Sequence, residues 1–358
     1  MGVCPVDGRL ASGQRSAVEA PFAPIRTCLV PACYVCGERG AALYANVQDP
    51  LQFVPGLWTV VRCVNDRCAT MWLNPMPIPD DIARMYQSYA THEDHEDSFA
   101  RRTFNRARRG YLYHKLGGAR PALADIALGM GFYLYPPRRE DVEFPLRQLG
   151  CGNGRKLLDV GCGDGSLLRM MLQYGWSCEG LDFDEGAVRN AARKGLRVAW
   201  GTLEEQRYAE AAFDAITLSH VIEHVPEPLA LLSECRRILK PGGRLVLVTP
   251  NSQSLGRKMF GWSWSHLAPP YHLRIFSPHS LSTLASRAGF RTVRTATLAR
   301  TFESVAIESV RIHQGKKLGL LKSRPAAIRL PAMLLQCLVW AALQLRPNDG
   351  EEILLTSQ

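Results

Sequence analysis

Residues 156–166, KLLDVGCGDGS, set an apolar run from Lys156 to Val160 directly in front of three glycines on alternate positions. Leu167, Leu168, Met171 and Leu172 then recur at helical spacing, so the stretch reads as buried strand, Gly-rich turn and helix. Gly161, Gly163 and Gly165 permit positive φ and let a ligand lie against bare backbone, while the helix that follows presents free N–H groups. A phosphate-binding loop would carry Lys-Ser/Thr here; instead Asp159 and Asp164 flank the glycines, and a carboxylate beside the turn suits a cation or an amino group. A second short strand, Cys178 to Leu181, ends on Asp182, seventeen residues after Gly165. An acid at that point can accept hydrogen bonds from both hydroxyls of a ribose.

These residues resemble the D-x-G-x-G-x-G motif of class I S-adenosylmethionine-dependent methyltransferases, with Asp159, Gly161, Gly163 and Gly165 at the motif positions. Residues 213–250, FDAITLSHVIEHVPEPLALLSECRRILKPGGRLVLVTP, resemble the fourth-to-fifth-strand portion of ubiquinone-pathway-like O-methyltransferases. The resemblance implies a Rossmann-like α/β fold, a seven-stranded methyltransferase sheet whose last strand is antiparallel. It implies S-adenosyl-L-methionine as cofactor, held by Asp159, Gly161, Cys162, Gly163, Asp164, Gly165, Asp182, Phe183, Thr202, Leu203, Ser219 and His220. The implied reaction is an in-line displacement on the methyl carbon, in which the protein contributes alignment, exclusion of water and a base where the acceptor is a hydroxyl. His224, His272 and His220 are the candidate bases, His224 first because a carboxylate beside it in sequence, Glu223, would orient the imidazole. The other reading is a binding or scaffold protein that kept the fold and uses its ribbon for partner contact.

Four cysteines have zinc-ribbon spacing: Cys33-x2-Cys36, then Cys63-x4-Cys68. Two knuckles of this kind bring four thiolates into a tetrahedron, and Gly37 permits the tight turn the first one needs. The stretch from Arg62 to Tyr89 is similar to the end of the ribbon that precedes some small-molecule and glycan-pathway methyltransferases. That resemblance implies a small-molecule or glycan-type acceptor. The reading assigns residues 1–30 to a mobile tail, 31–79 to the ribbon with Asn74–Pro79 as linker, 80–150 to a helical cap, and 151–358 to the catalytic domain. Asp80 or Asp81 is expected to cap a helix carrying Ile82, Met85, Tyr86 and Tyr89. Gly117, Gly118, Pro136, Pro137 and Pro145 are expected to break the cap helices. His92, His95, Glu96 and Asp97 form an acidic turn with no assigned chemistry.

Strands are expected near 156–160, 178–182, 196–199, 213–218, 244–249 and 291–298, with a last one at Glu352–Thr356. Ser277-Pro278 is expected to cap a helix, and 301–346 is a helical insert. Between them, Asn251 to Leu281 looks like an acceptor loop, too irregular for sheet or helix. Its PPYHLRIFSPHSL is similar to the PRHL-x-x-FSP segment of the zinc-ribbon subgroup, with Tyr271 where that subgroup has Arg, so Arg274 is the substitute for an anion-binding role. Residues 328–346 carry an apolar helix too short and too interrupted to span a bilayer; a core or homodimer helix is the plainer reading, an interfacial membrane helix the other.

Composition adds bounds. A charged fraction of 21% with 46% hydrophobic residues excludes disorder throughout, and the net charge of +10 suits an anionic substrate or an acidic membrane surface. No sequence-specific nucleic-acid motif is present, and eleven cysteines without a secretory h-region place the chain in the cytoplasm, where thiols hold metal more often than disulfides.

Overall fold

The computed structural model describes residues 24–86, 99–116, 120–318 and 326–357. Its centre is a seven-stranded sheet of β1 (Lys156–Val160), β2 (Ser177–Asp182), β3 (Val198–Trp200), β4 (Phe213–Ser219), β5 (Leu239–Pro250), β6 (Val293–Leu298) and β7 (Glu352–Ser357). The order across the sheet is β3-β2-β1-β4-β5-β7-β6. All neighbours pair in parallel except β7, which is inserted between β5 and β6 and antiparallel to both. This is the expected α/β class with its antiparallel last strand. β5 starts at Leu239, earlier than expected, because Pro241-Gly242-Gly243 forms an irregularity inside the strand after the helix Pro228–Ile238 has ended.

The strands are almost continuously apolar because both faces of the sheet are covered. Alternate residues go to opposite sides. Leu158, Ile216, Leu245, Leu247, Ile353 and Leu355 join one core. Leu157, Ala215, Val246, Val248 and Leu354 join the other. The first core is shared with the N-terminal ribbon, through Trp58, Val60, Met71 and Leu73. The second is shared with the cap, whose Tyr111, Phe132, Val142 and Phe144 pack on it. The cap consists of Phe99–Leu116, Leu123–Met130, a 3-10 turn at Gly131–Leu134, and Pro136–Leu149. Pro136 and Pro137 open the last of these helices, where a missing N–H costs nothing, and the helix continues through Pro145, contrary to expectation.

Three further expectations change. Residues 24–30 lie within the described part of the expected tail, and Thr27–Cys28 pairs with Met76–Pro77, so the presumed linker Asn74–Pro79 is part of the ribbon fold. Asp81 does not cap the helix Pro79–Met85; it is buried and accepts from the Arg26 guanidinium at 2.8 Å, with Arg84 at 3.1 Å. Residues 1–23, Tyr89, the group His92, His95, Glu96 and Asp97, and Gly117 and Gly118 lie outside the described residues.

The stretch read as an irregular loop is more ordered than expected. It holds the helix Leu255–Phe260, and its Arg274–Ile275 pairs with Met71–Leu73 as the edge of the ribbon's four-stranded antiparallel sheet. Ser277 caps the helix Pro278–Arg287 as expected, accepting from Ser280 N at 3.1 Å, and its hydroxyl also donates to Cys68 O at 2.7 Å, tying ribbon to catalytic sheet. Ser277→Ala should lower the unfolding free energy by about 1–2 kcal/mol, the cost of losing a buried cap, read from the urea midpoint.

Candidate active site

At the carboxyl end of β1 the glycine loop has Gly161, Gly163 and Gly165 at φ of 72°, 52° and 73°. Side chains are excluded there for a second reason: a Cβ on Gly161 would lie 2.4 Å from Val221 Cγ2, and one on Gly165 2.1 Å from Leu196 Cδ1. The bare backbone therefore serves the protein's own packing as well as ligand approach. A cavity of about 400 Å³ opens between this loop and the cap. Asp159, Gly161, Cys162, Gly163, Asp164 and Ser219 line it, so six of the residues named from sequence come together. Thr217 shares the face of Asp159, donating to its carboxylate at 2.6 Å, and burial pushes the Asp159 pKa up to about 7, the Thr217 hydroxyl partly opposing. Asp182 is buried at the end of β2, accepting from Gly163 N at 2.8 Å and Asp184 N at 2.9 Å. Asp182, Phe183, Thr202 and Leu203 sit at the ends of β2 and β3, outside the lining of that cavity.

Beyond β4 the chain turns sharply at His220, at φ 55°, an uncommon conformation for a residue with a side chain. Four imidazoles gather here. His220 has a carboxylate at each ring nitrogen, Glu223 at 3.2 Å and Glu352 at 2.8 Å, so both nitrogens donate and the ring is an imidazolium. Burial alone would lower its pKa; the two carboxylates win and raise it to about 10. Glu352 is held in turn by Arg300 at 2.6 Å, and Glu223 by the Thr249 hydroxyl at 2.9 Å. Burial works against ionised Glu223, but His220 holds its pKa down at about 2. The Glu223 carboxylate thus bonds to His220 and not to His224, which it reaches only as a nearby charge.

The other three rings are kept neutral. Burial lowers His224, takes His266 to about 4 and His272 to about 3. His224 Nδ1 lies 3.0 Å from Tyr271 O, and His272 Nδ1 lies 2.7 Å from His266 O. A carbonyl only accepts, so His272 carries its proton on Nδ1; His224 Nδ1 faces the Tyr86 hydroxyl as well as Tyr271 O, and a hydroxyl can either donate or accept. The two rings are 4.7 Å apart between centroids. Tyr86 joins them to the glycine-loop side: its hydroxyl is 2.8 Å from His224 Nδ1 and its ring is edge-on to Phe183 at 4.9 Å. Glu223, His224 and His272 each offer a ligand atom within 4.8 Å of the others, a donor set compatible with a divalent cation.

Residues 138–295 match the methyltransferase domain family. This segment is a methyltransferase domain. The chain is 36% identical over 105 residues to the ubiquinone biosynthesis O-methyltransferase of Pseudomonas aeruginosa, covering 27% of this chain and 45% of that one. It is 31% identical over 152 residues to the enzyme of the same name from Thiobacillus denitrificans, covering 39% and 66%. The chain therefore spans roughly half to two thirds of the length of these curated relatives. Among solved structures, a SAM-dependent methyltransferase from Archaeoglobus fulgidus is similar at 21% identity with a TM-score of 0.41, covering 63% of this chain and 99% of that one.

Several residues around the cavity carried no sequence signal. Phe104, Arg108, Asp141 and Phe144 of the cap line the cavity with Arg300, and Glu352 reaches the site from the last strand. Only the fold brings them to the loop. Arg274, expected to take an anion-binding role, is instead buried, donating to Pro226 O at 2.7 Å and lying over the Tyr34 ring at 4.6 Å. Tyr271 is also committed, its hydroxyl donating to Asp49 at 3.2 Å.

Away from the domain's cleft, Cys33, Cys36, Cys63 and Cys68 place their sulfurs within 4.8 Å of one another. Cys33 and Cys68 are 3.6 Å apart, Cys36 and Cys63 3.4 Å, close to the ~3.8 Å edge of a tetrahedron with 2.3 Å zinc–sulfur bonds. Gly37 makes the knuckle turn at φ 80°, its N–H donating to Cys33 O at 2.9 Å.

The charged state of His220 predicts a pH signature. Its raised folded-state pKa contributes stability that is complete below the ordinary value near 6.5 and is lost as pH rises through about 10. His220→Asn tolerates the left-handed backbone and removes the titration, so thermal midpoints of the two proteins should differ most near pH 6 and converge toward pH 10.

Proposed function

We propose that the chain transfers a methyl group from S-adenosylmethionine to a hydroxyl of a small-molecule or glycan-pathway acceptor, with His224 as base. The observation that carries the reading is the placement of His224, a neutral, half-buried ring in the turn that follows β4. With the proton on Nδ1, toward Tyr271 O at 3.0 Å, Nε2 is the acceptor; the ring lies outside the lining of the glycine-loop cavity and is linked to Phe183 through Tyr86. The fit to the cofactor rests on the cavity against the glycine loop, with the buried Asp159 in its lining toward an amino group; Asp182, outside that lining at the end of β2, is the acid we assign to the ribose hydroxyls. When bound, the cofactor supplies the electrophilic methyl group. The residues of the chain align the acceptor, exclude water and take the hydroxyl proton on His224 Nε2. The proton on His224 is stabilised by the Glu223 carboxylate close by, whereas His220, already an imidazolium, has no lone pair to offer. His272, more strongly depressed than His224, is the weaker acceptor and packs against it.

His224→Ala should lower kcat by about 10²- to 10⁴-fold and leave affinity for S-adenosylhomocysteine nearly unchanged. Turnover within a few-fold of the unmodified protein would remove the base assignment. The donor set of Glu223, His224 and His272 favours one second reading, a divalent cation that lowers the acceptor's pKa. Turnover that rises on adding Mg²⁺ or Mn²⁺ and vanishes in Glu223→Gln would replace the base by that cation.

We further propose structural zinc in the ribbon, held by Cys33, Cys36, Cys63 and Cys68. Mass spectrometry of freshly purified protein should find about one zinc per chain, and Cys33→Ser should lose it together with solubility.

A further inference from the structure

We propose that the outer face of the helix Ala326–Ala342, with the turn that follows it, docks on an anionic lipid surface. The helix is seated on the protein by one face only. Ala332, Gln336 and Val339 are buried, and the Gln336 amide donates to Ala299 O at 2.8 Å and Arg300 O at 2.7 Å. That anchoring settles which side is outward. On the outward side Leu330, Leu334 and Leu338 follow one another at four-residue spacing and are 60%, 68% and 67% exposed, with Leu345 at 87% in the turn beyond. The sequence from Leu330 to Leu345 contains no charged residue at all. A surface helix ordinarily turns charged and polar side chains outward, so exposed leucines on three successive turns, with Leu345 beyond them, mark a binding face.

Charge decides the occupant. The apolar stretch is closed by Arg329 and Arg346, and no Asp or Glu occurs between Glu308 and Asp349, while Arg311, Lys316 and Lys317 do. Two acids of the neighbouring helix Phe302–His313 answer part of this charge: Glu303 lies 3.2 Å from Arg329 and Glu308 3.4 Å from Arg311. Both pairs are solvent-accessible on the arginine side, and among the described residues no acid lies within 4 Å of Lys316, Lys317 or Arg346, Lys317 standing over the Phe53 ring at 4.3 Å. A second copy packed about a two-fold axis would set cationic helix ends against cationic helix ends, whether the helices ran parallel or antiparallel. A bilayer with anionic headgroups satisfies both features, taking the leucines at the acyl boundary and the cations at the phosphates. The helix lies on such a surface and does not cross it, because no helix among the described residues is long and apolar enough to do so.

The test is co-flotation of the full chain with vesicles of equal parts phosphatidylglycerol and phosphatidylcholine, against phosphatidylcholine alone, with sedimentation equilibrium in the absence of lipid. Association with the anionic vesicles that weakens in high salt is expected. Leu334→Glu and Leu338→Glu, both at exposed positions, should each lower partitioning by about ten-fold or more while leaving the thermal midpoint and S-adenosylhomocysteine binding unchanged. Association that is absent, or equal on neutral and anionic vesicles, would overturn the proposal. So would a dimer in solution that Leu334→Glu dissociates, since the face would then belong to a second copy.

Discussion

A sheet of parallel strands leaves two apolar faces, and each must be covered by something other than a neighbouring strand. In this protein the two covers are different structures. The helices Pro228–Ile238 and Pro278–Arg287 lie on one face, where the ribbon joins their core, and the helices Ser166–Gln173 and Glu185–Arg193 lie on the other, where the cap joins theirs; the alternation of Leu157 with Leu158, or Val246 with Leu247, sorts side chains between the two. The cavity beside the glycine loop exists because the cap meets the sheet on the face of Asp159 and Thr217. The ribbon is equally bound into the molecule, since Arg274–Ile275 from the segment after β5 completes its sheet and Ser277 bonds to Cys68 O. The four thiols therefore brace the same segment that carries His266 and His272.

Electrostatics divide the imidazoles into two kinds. His220 is ionised by the company it keeps, a carboxylate at each nitrogen, and is held in a left-handed turn by that pairing. Its partners extend to Arg300 and, across a 3.5 Å contact, to Asp141 of the cap, so one ionic chain, buried at Glu223 and Glu352 and half-buried at its other members, joins the end of β4, β7 and the cap. Such a chain has little tolerance for loss of a member, because a remaining buried charge would be uncompensated. His224, His266 and His272 have carbonyls or aromatic rings for neighbours and stay neutral under burial. A charged ring and a neutral one, His220 and His224, thus lie four residues apart.

Much of the sheet was legible because its signals are local. The glycine spacing, the apolar runs and the Ser277-Pro278 cap depend only on backbone sterics and on period, and β1, β2 and β4 fall within a residue of their expected bounds. The four cysteines were legible for a related reason: thiolate geometry imposes spacing on the sequence itself. Expectations failed where a long-range partner overrode a local preference. Asp81 stands where a cap would stand, but Arg26 and Arg84 take its carboxylate; Glu223 adjoins His224 in sequence, but the turn at His220 aims it at the other ring. Arg274 looked available for an anion and is used instead to satisfy backbone carbonyls under the ribbon.

The amino-acid sequence by itself determined the α/β class, the glycine loop with its acids, the order of elements and the four-thiol set, all of which follow from short-range periodicity and turn chemistry. Tertiary structure alone decided which histidine is charged, which acid each one meets, and which cap residues wall the cavity. Glu352 and Arg300 lie 132 and 80 residues beyond His220 in the chain, and no pattern of period two or 3.6 reports a pairing at that distance. Proton affinity depends on the charges and the dielectric within a few ångströms, and those are set only when the strands and the cap have closed around the group.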